Sequence, residues 1–306
     1  MPRLRVISIA ALPVMSLLSS TTLAQIDPPQ FYGRINANIQ QDRYDDESNT
    51  SLVTNNSRIG VRGGESIGEG YEAVYQLEYK VSPEDESTFS QRNSFIGVRS
   101  DWGMVSAGYF DTPFKRAQGD VDVFNDLVGD ITQALTVHER RESNSIMYTS
   151  PDSWGPLTSH VAYIAHDDRS RSDGVSAMLA YENNNLYTAI AVNSNVQQDD
   201  EEAVRAVAVY TLGRWQFGAL AETSDRVQTG SNSGWLLSTT YRLDENWTLK
   251  AQGGQSDIRF QDGESYDIGA DYRINSRFTL FGFLTQNRGE AIGIRRYGGL
   301  GATLNF

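Results

Sequence analysis

From residue 31 onward the chain changes polarity at every second residue, again and again, in stretches of roughly ten. In Phe31-Tyr-Gly-Arg-Ile-Asn-Ala-Asn-Ile39, one parity carries Phe31, Gly33, Ile35, Ala37 and Ile39, and the other carries Tyr32, Arg34, Asn36 and Asn38. The same grammar returns in Tyr71-Glu-Ala-Val-Tyr-Gln-Leu-Glu-Tyr-Lys80, with Tyr71, Ala73, Tyr75, Leu77 and Tyr79 set against Glu72, Gln76, Glu78 and Lys80. Period two means strands, since successive side chains then point to opposite faces of a sheet. A soluble sandwich would bury one face in an apolar core. Here the apolar face is aromatic-rich and the other is charged, which is the apolar-out, polar-in pattern of a membrane barrel. No helix-length apolar run recurs after Leu18, so the sequence excludes a helical membrane protein.

Counted this way the chain contains sixteen strand-like segments, from Phe31 to the carboxyl-terminal Phe306, with fourteen as the neighbouring alternative. The predicted fold is all-β: a transmembrane antiparallel β-barrel of about 16 strands. An even number lets both ends of the chain lie on one rim. Tight connections such as Ser100-Asp-Trp-Gly103 and Leu243-Asp-Glu-Asn246 alternate with longer polar ones, among them 40–57, 81–92, 167–173, 196–202, 224–233 and 256–264. This predicts short turns on the periplasmic side and longer loops outside. Aromatic residues such as Phe31, Tyr71, Tyr187, Trp215 and Trp247 are candidates for girdles at the two interfaces.

The amino terminus reads as a separate segment. Met1-Pro2-Arg3-Leu4-Arg5 is basic, Val6 to Leu18 is apolar, and small residues lead to Thr22-Leu23-Ala24. That is the layout of a secretory signal peptide over residues 1–24, leaving one domain over 25–306. The exported chain has no cysteine, so packing and backbone hydrogen bonding must stabilise it, and a closed sheet supplies the second. The formal charge of −13, which loss of Arg3 and Arg5 deepens, argues against nucleic acid as a partner and favours cations. Solubility or a salty habitat is the alternative account of the acidity.

Enzyme readings find little support. His138, His160 and His166 lack metal-ligand spacing, and no nucleophile elbow or phosphate-cradling glycine motif is present. No metal site or cofactor is expected. One segment stands out by length: residues 111–142 show weak alternation but carry Phe124, Leu127, Val128, Ile131 and Leu135. A connection so long and partly apolar is best accommodated by packing inside the barrel, with a helical turn or two expected within 125–135.

Several motifs resemble the Gram-negative general porin family, in particular the trimeric porins of proteobacteria. Phe31-Tyr-Gly-Arg-Ile-Asn is similar to the family's first strand. Asn56-Ser-Arg-Ile-Gly-Val-Arg-Gly-Gly-Glu-Ser-Ile-Gly-Glu-Gly70 is similar to its second strand and turn. Gln91 to Val98, Trp102 to Tyr109 and Asn144 to Pro151 resemble later strands, and Phe306 resembles the terminal aromatic residue presented to the outer-membrane barrel assembly machinery. The resemblance implies an outer-membrane homotrimer with one pore per subunit, surrounded by lipid and lipopolysaccharide. It also implies that residues 111–142 form an inward-folded constriction loop. Where relatives often carry arginine this chain has Met147, which removes one wall charge.

On that reading the loop supplies Asp111, Asp120, Asp122, Asp126, Asp130, Glu139 and Glu142. Each has the alternative of a solvated loop face. Basic residues of the wet parity would face them: Arg34, Arg58 and Arg62, with Arg92 on a strand whose alternation is blurred by Phe95, Ile96 and Val98. Arg140 and Arg141 end the loop, while Lys115 and Arg116 could face the lumen or the mouth. Opposed charges at a narrow, wet passage set selectivity. The expectation is a general diffusion porin for small hydrophilic solutes and ions, mildly cation-selective. The rivals are a substrate-selective channel, which would want a continuous basic track or aromatic slide, and a structural or adhesive barrel with a blocked lumen. A soluble secreted sandwich would need no detergent.

Overall fold

The computed structural model describes residues 28–82, 89–167 and 171–306. The expected signal peptide over residues 1–24 and its cleavage point lie outside the described residues. Sixteen antiparallel strands follow one another around a closed barrel. They are β1 (Gln30–Tyr44), β2 (Glu47–Thr54, continued as Arg58–Gly68), β3 (Tyr71–Val81), β4 (Phe89–Gln91, continued as Ser94–Ser100) and β5 (Gly103–Asp111). After a long loop come β6 (Arg141–Thr149), β7 (Leu157–Ile164), β8 (Gly174–Glu182), β9 (Leu186–Ser194), β10 (Glu202–Leu212) and β11 (Trp215–Arg226). The barrel is completed by β12 (Gly230–Arg242), β13 (Trp247–Ser256), β14 (Gly263–Arg273), β15 (Phe278–Gly289) and β16 (Gly293–Asn305). Both segments of β2 pair with β1, and both segments of β4 pair with β3, so each is one strand with a break.

The sheet closes where β16 returns to β1, in register from Arg34 opposite Asn305 to Tyr44 opposite Arg295. Phe306 extends this seam, exchanging backbone hydrogen bonds of 2.9 and 3.0 Å with Gly33. Its ring lies directly over Gly33, where a Cβ would sit 2.4 Å from the ring edge. Closure leaves no strand edge for lipid to meet, which is the condition a spanning sheet must satisfy.

Side chains sort as the alternation predicts. Ile35, Ile39, Leu77, Tyr79, Ile190, Leu237, Ile268 and Leu300 face outward and exposed, while Asn36, Asn38, Gln40 and Glu78 are buried on the inner face. On β4 the blurred alternation resolves: Ile96 is exposed outward, and Phe95 packs inward against the Phe110–Met147–Ala162 cluster. Met147 is thus core where a wall charge was considered. Trp215 stacks on Phe217 and tilts against Tyr241, and Trp247 meets Tyr272, forming an outward aromatic patch beside the short turns. Tyr187 does not belong to a girdle. It points inward and donates to the Ala117 carbonyl at 3.1 Å.

The tight turns share the rim that holds the chain ends. Gly68, Glu69 and Gly70 all have positive φ, and the side chain of Asp244 accepts from the Asn246 and Trp247 amides at 2.7 Å. The opposite rim corrects the expected loop lengths. Most of 40–57 is strand: β1 and β2 run up to a turn at Asp45, which has positive φ. The 224–233 connection shrinks to the three residues between Arg226 and Gly230. Outward residues there, such as Gln41, Arg43, Ser48 and Thr50, are polar, which hid these ladders from a pattern based on an apolar outer face.

Candidate functional site

Residues between Asp111 and Arg141 fold into the barrel. The loop starts with α1 (Pro113–Arg116), capped by the Thr112 hydroxyl accepting from the Lys115 amide. Beyond it the chain forms hydrogen-bonded turns, and within 125–135 the expected helical content is a single turn closed by the Leu135 amide donating to the Ile131 carbonyl at 2.9 Å. The outgoing limb follows the wall. The Phe114 amide donates to Ser176 on β8, Gln216 on β11 donates to the Asp120 carbonyl, and the Val123 amide donates to Gln252 on β13. The limb returns along the same wall, with Asn287 on β15 donating to the Val128 carbonyl and Gln252 to the Gly129 carbonyl.

This contact is an apolar core built inside the barrel. Val121, Ile131 and Leu135 pack with Val207, Val209, Leu220 and Leu236, while Phe114 and Ala117 pack with Met178, Ala180, Ala189 and Ala191. Phe124 and Leu127 meet Phe281 and Phe283. Close approach needs small wall residues: a Cβ on Gly254 would lie 2.7 Å from Leu135, and one on Gly218 would lie 3.0 Å from Val121.

At its tip the loop crosses to the other side. Asp126 reaches Arg34 on β1 at 3.3 Å and Arg58 on β2 at 3.6 Å, and accepts from Asn56 at 2.8 Å. Arg34 and Arg58 are register partners. Asn56 sits in the break of β2 with φ of 50°, a left-handed conformation that Asn tolerates, and it also accepts from Arg92 at 3.4 Å. Arg92 is buried and holds Glu78 at 2.8 Å, while Glu78 also accepts from Tyr32 at 3.1 Å. The result is an inward ladder of three guanidinium groups, bridged by Asp126 and Glu78.

The remaining sequence candidates separate. Asp111, at the loop root, sits between Arg141 at 2.8 Å and Lys115 at 3.5 Å, and Arg116 donates to its backbone carbonyl. Arg140 pairs with Glu142 at 2.9 Å, and Asp120 is exposed. Asp122 is not at the lumen: it is buried and binds the Phe124 and Ile131 amides at 3.0 Å, stapling the two limbs together. Asp130 does similar work, accepting from Asp126 and Thr132 amides. Glu139 is buried against Arg205. Arg62 stands apart near the short-turn rim, exposed, with its guanidinium 5.2 Å from the Tyr32 ring. Sequence reasoning missed Asn56, Arg205, Glu222 and Glu201. The paired Asn55-Asn56 before Arg58 was the available signal for the first. Among the described residues, no grouping of His, Asp and Glu is arranged to hold a metal ion.

A closed barrel with an apolar outer wall, a polar inner face and a loop folded through its middle defines a membrane-spanning channel architecture. A family model described as Gram-negative porin matches residues 9–291, and the chain belongs to that family of the outer membrane. The chain is 23% identical to the major outer membrane protein P.IB of Neisseria meningitidis serogroup B over 336 residues, covering 98% of each. Its fold is similar to the anion-selective porin from Comamonas acidovorans, with a TM-score of 0.78 and 18% identity over 91% of this chain and 99% of that one. It is also similar to Salmonella typhi OmpF solved in complex with daunomycin, with a TM-score of 0.74, 16% identity and coverage of 91% and 97%.

Proposed function

We propose that the barrel is a general diffusion channel for small hydrophilic solutes and ions, with its passage between the inward loop and the β1–β6 wall. One observation carries this reading. The loop presses its apolar side on β8 through β15, and the sector it leaves carries the Arg34, Arg58, Arg92 ladder with polar neighbours. Water and fixed charge at a narrow level are what a nonspecific passage requires. Arg34, Arg58, Arg92, Lys115, Arg116, Arg140 and Arg141 line it together with Glu78, Asp111, Asp126 and Glu142.

The bulk acidity and this local balance pull in opposite directions, since the residues just named are seven basic groups and four carboxylates, and adding exposed Asp120 and the Lys250–Asp271 pair leaves the basic groups in slight excess. Carboxylates at the outer mouth, such as Asp45, Asp199 and Asp262, act from a distance and are screened by salt. The mild cation preference therefore belongs to low ionic strength, and fades or reverses at about 1 M, where the Debye length is about 3 Å. The chain assembles as a homotrimer in lipid and lipopolysaccharide, with Phe306 recognised by the barrel assembly machinery, as the resemblance implies.

The test is reconstitution in a planar bilayer, reading unit conductance and the zero-current potential across salt gradients at low and high mean concentration. Ohmic steps grouped in threes, with a cation-favouring potential that weakens as salt rises, are the expected result. An absence of steps supports a structural barrel. Steps blocked by one solute at low concentration support a substrate-selective channel.

A further inference from the structure

The returning limb of the loop is fastened to the wall by ionisable groups that are out of water. The His138 ring is fully buried, with Nδ1 2.6 Å from Glu222 and Nε2 2.9 Å from Glu201. With a carboxylate oxygen at each ring nitrogen, an imidazolium donating from both nitrogens satisfies the two contacts. Glu222 also accepts from Arg205 at 2.6 and 2.8 Å and from the Thr136 hydroxyl at 2.5 Å. Arg205 holds Glu139 with its other amino group, and its guanidinium lies 4.4 Å from the centre of the Phe114 ring.

Every element packed on His138 is represented. The carboxylate of Glu201 comes from the connection between β9 and β10, Arg205 from β10, Glu222 and the Ser224 hydroxyl from β11, and Glu139 from the loop itself. The Phe114 ring closes one side at 5.5 Å, and Lys115 acts on Glu139 through its charge. Three buried carboxylates thus face two cations. If His138 loses its proton, only Arg205 and the more distant Lys115 oppose Glu139, Glu201 and Glu222, and a buried charge without a partner is costly.

We propose that this cluster is a proton-dependent latch on the channel: charged His138 holds the loop against the β10–β11 wall, and its deprotonation frees the limb to fall across the passage. The proposal rests on reading the loop as the constriction. No permeating solute touches the latch, because its side chains are buried. His138 is therefore a positioning residue. Burial by itself pulls the imidazole down, but hydrogen bonds to Glu201 and Glu222 carry it above its ordinary value. With the folded value raised, the fastening is complete below the ordinary imidazole pKa of about 6.5 and is lost as pH climbs through the raised value. The channel stays open in acid and closes as pH climbs through that raised value.

The experiment follows closures of reconstituted wild type, His138→Gln and the double variant His138→Gln with Glu201→Gln, from mildly acidic to alkaline pH. Wild type is expected to close about tenfold more often once alkaline, within the usual range for coupling between a proton site and a conformational equilibrium. His138→Gln should close frequently at every pH, and the double variant, with one cation and one carboxylate removed together, should return to few closures without pH dependence. Wild type indifferent to pH, or a pH response surviving in His138→Gln, overturns the latch. A cysteine placed by Gln133→Cys, an exposed loop position in a chain without native cysteine, carries a spin label that reports loop mobility without conduction. A label that loosens in alkali upholds the latch even if no steps are seen and the channel reading fails; a label that stays immobile overturns it.

Discussion

The wall under the loop and the wall opposite it obey different rules, although both face the inside of one barrel. On β8 through β12 the inward side chains include Met178, Ala180, Ala189, Ala191, Val207, Val209, Leu220 and Leu236, all buried by the loop. On β1 through β4 they include Arg34, Asn36, Asn38, Arg58, Glu78 and Arg92, joined by hydrogen bonds and ion pairs, with Phe95 the apolar exception. The first sector is an ordinary protein core that happens to lie in a lumen. The second is built for water. Polar-in is therefore a rule about what an inward residue meets, water or protein, and the loop decides which.

The comparison can be broken most strongly in the covered sector. Phe124 is fully buried against Phe281 and Phe283, so Phe124→Ala should cost about 3–5 kcal/mol of loop packing, seen as rapid proteolytic nicking within 112–140 and noisy conductance in an intact barrel. An unnicked, quiet variant would mean that the core does not hold the loop. Asp126→Asn tests the opposite sector by uncovering Arg34 and Arg58. The anion-to-cation permeability ratio should rise by about twofold, the scale of one partly exposed ion pair, with unit conductance little changed. An unchanged zero-current potential would remove the ladder from the selectivity argument. The smallest effect belongs to Arg62→Ala. This exposed residue rests on Tyr32 and reaches Gln30 at 3.3 Å, so stability should change by no more than about 0.5 kcal/mol and conductance should stay as it was. A larger change in conductance would extend the wet wall to the short-turn rim.

How much of this was written in the sequence follows from the same division. Strands such as Gly174–Glu182 and Leu186–Ser194 were legible because the outer face must be apolar whatever lies inside. The upper parts of β1 and β2 were not, since their outward residues are polar and look like a loop. The inward loop was legible from its length and its buried apolar residues. Its carboxylates could not be sorted one by one: Asp122 and Asp126 lie in one short acidic stretch, yet one binds amides between the limbs and the other crosses to Arg34. His138 was considered only for metal spacing, and its partners lie 63 and 84 positions away in the chain. Contacts over such distances depend on the register of a closed sheet, which local pattern does not encode.

That closure has a consequence for how the molecule comes into being. Neighbouring strands of the described residues succeed one another along the chain, so each pair can zip from its own connection outward. The β1–β16 seam is different in kind, because it joins Arg34 to Asn305 across nearly the whole length and has no nearby turn to start it. Bringing distant segments together exacts loop-closure entropy before any contact repays it. Until that meeting the sheet presents two bare edges, each a row of amides and carbonyls that lipid cannot satisfy. The contact of Gly33 with the Phe306 ring lies on that seam, the join of largest sequence separation in the wall.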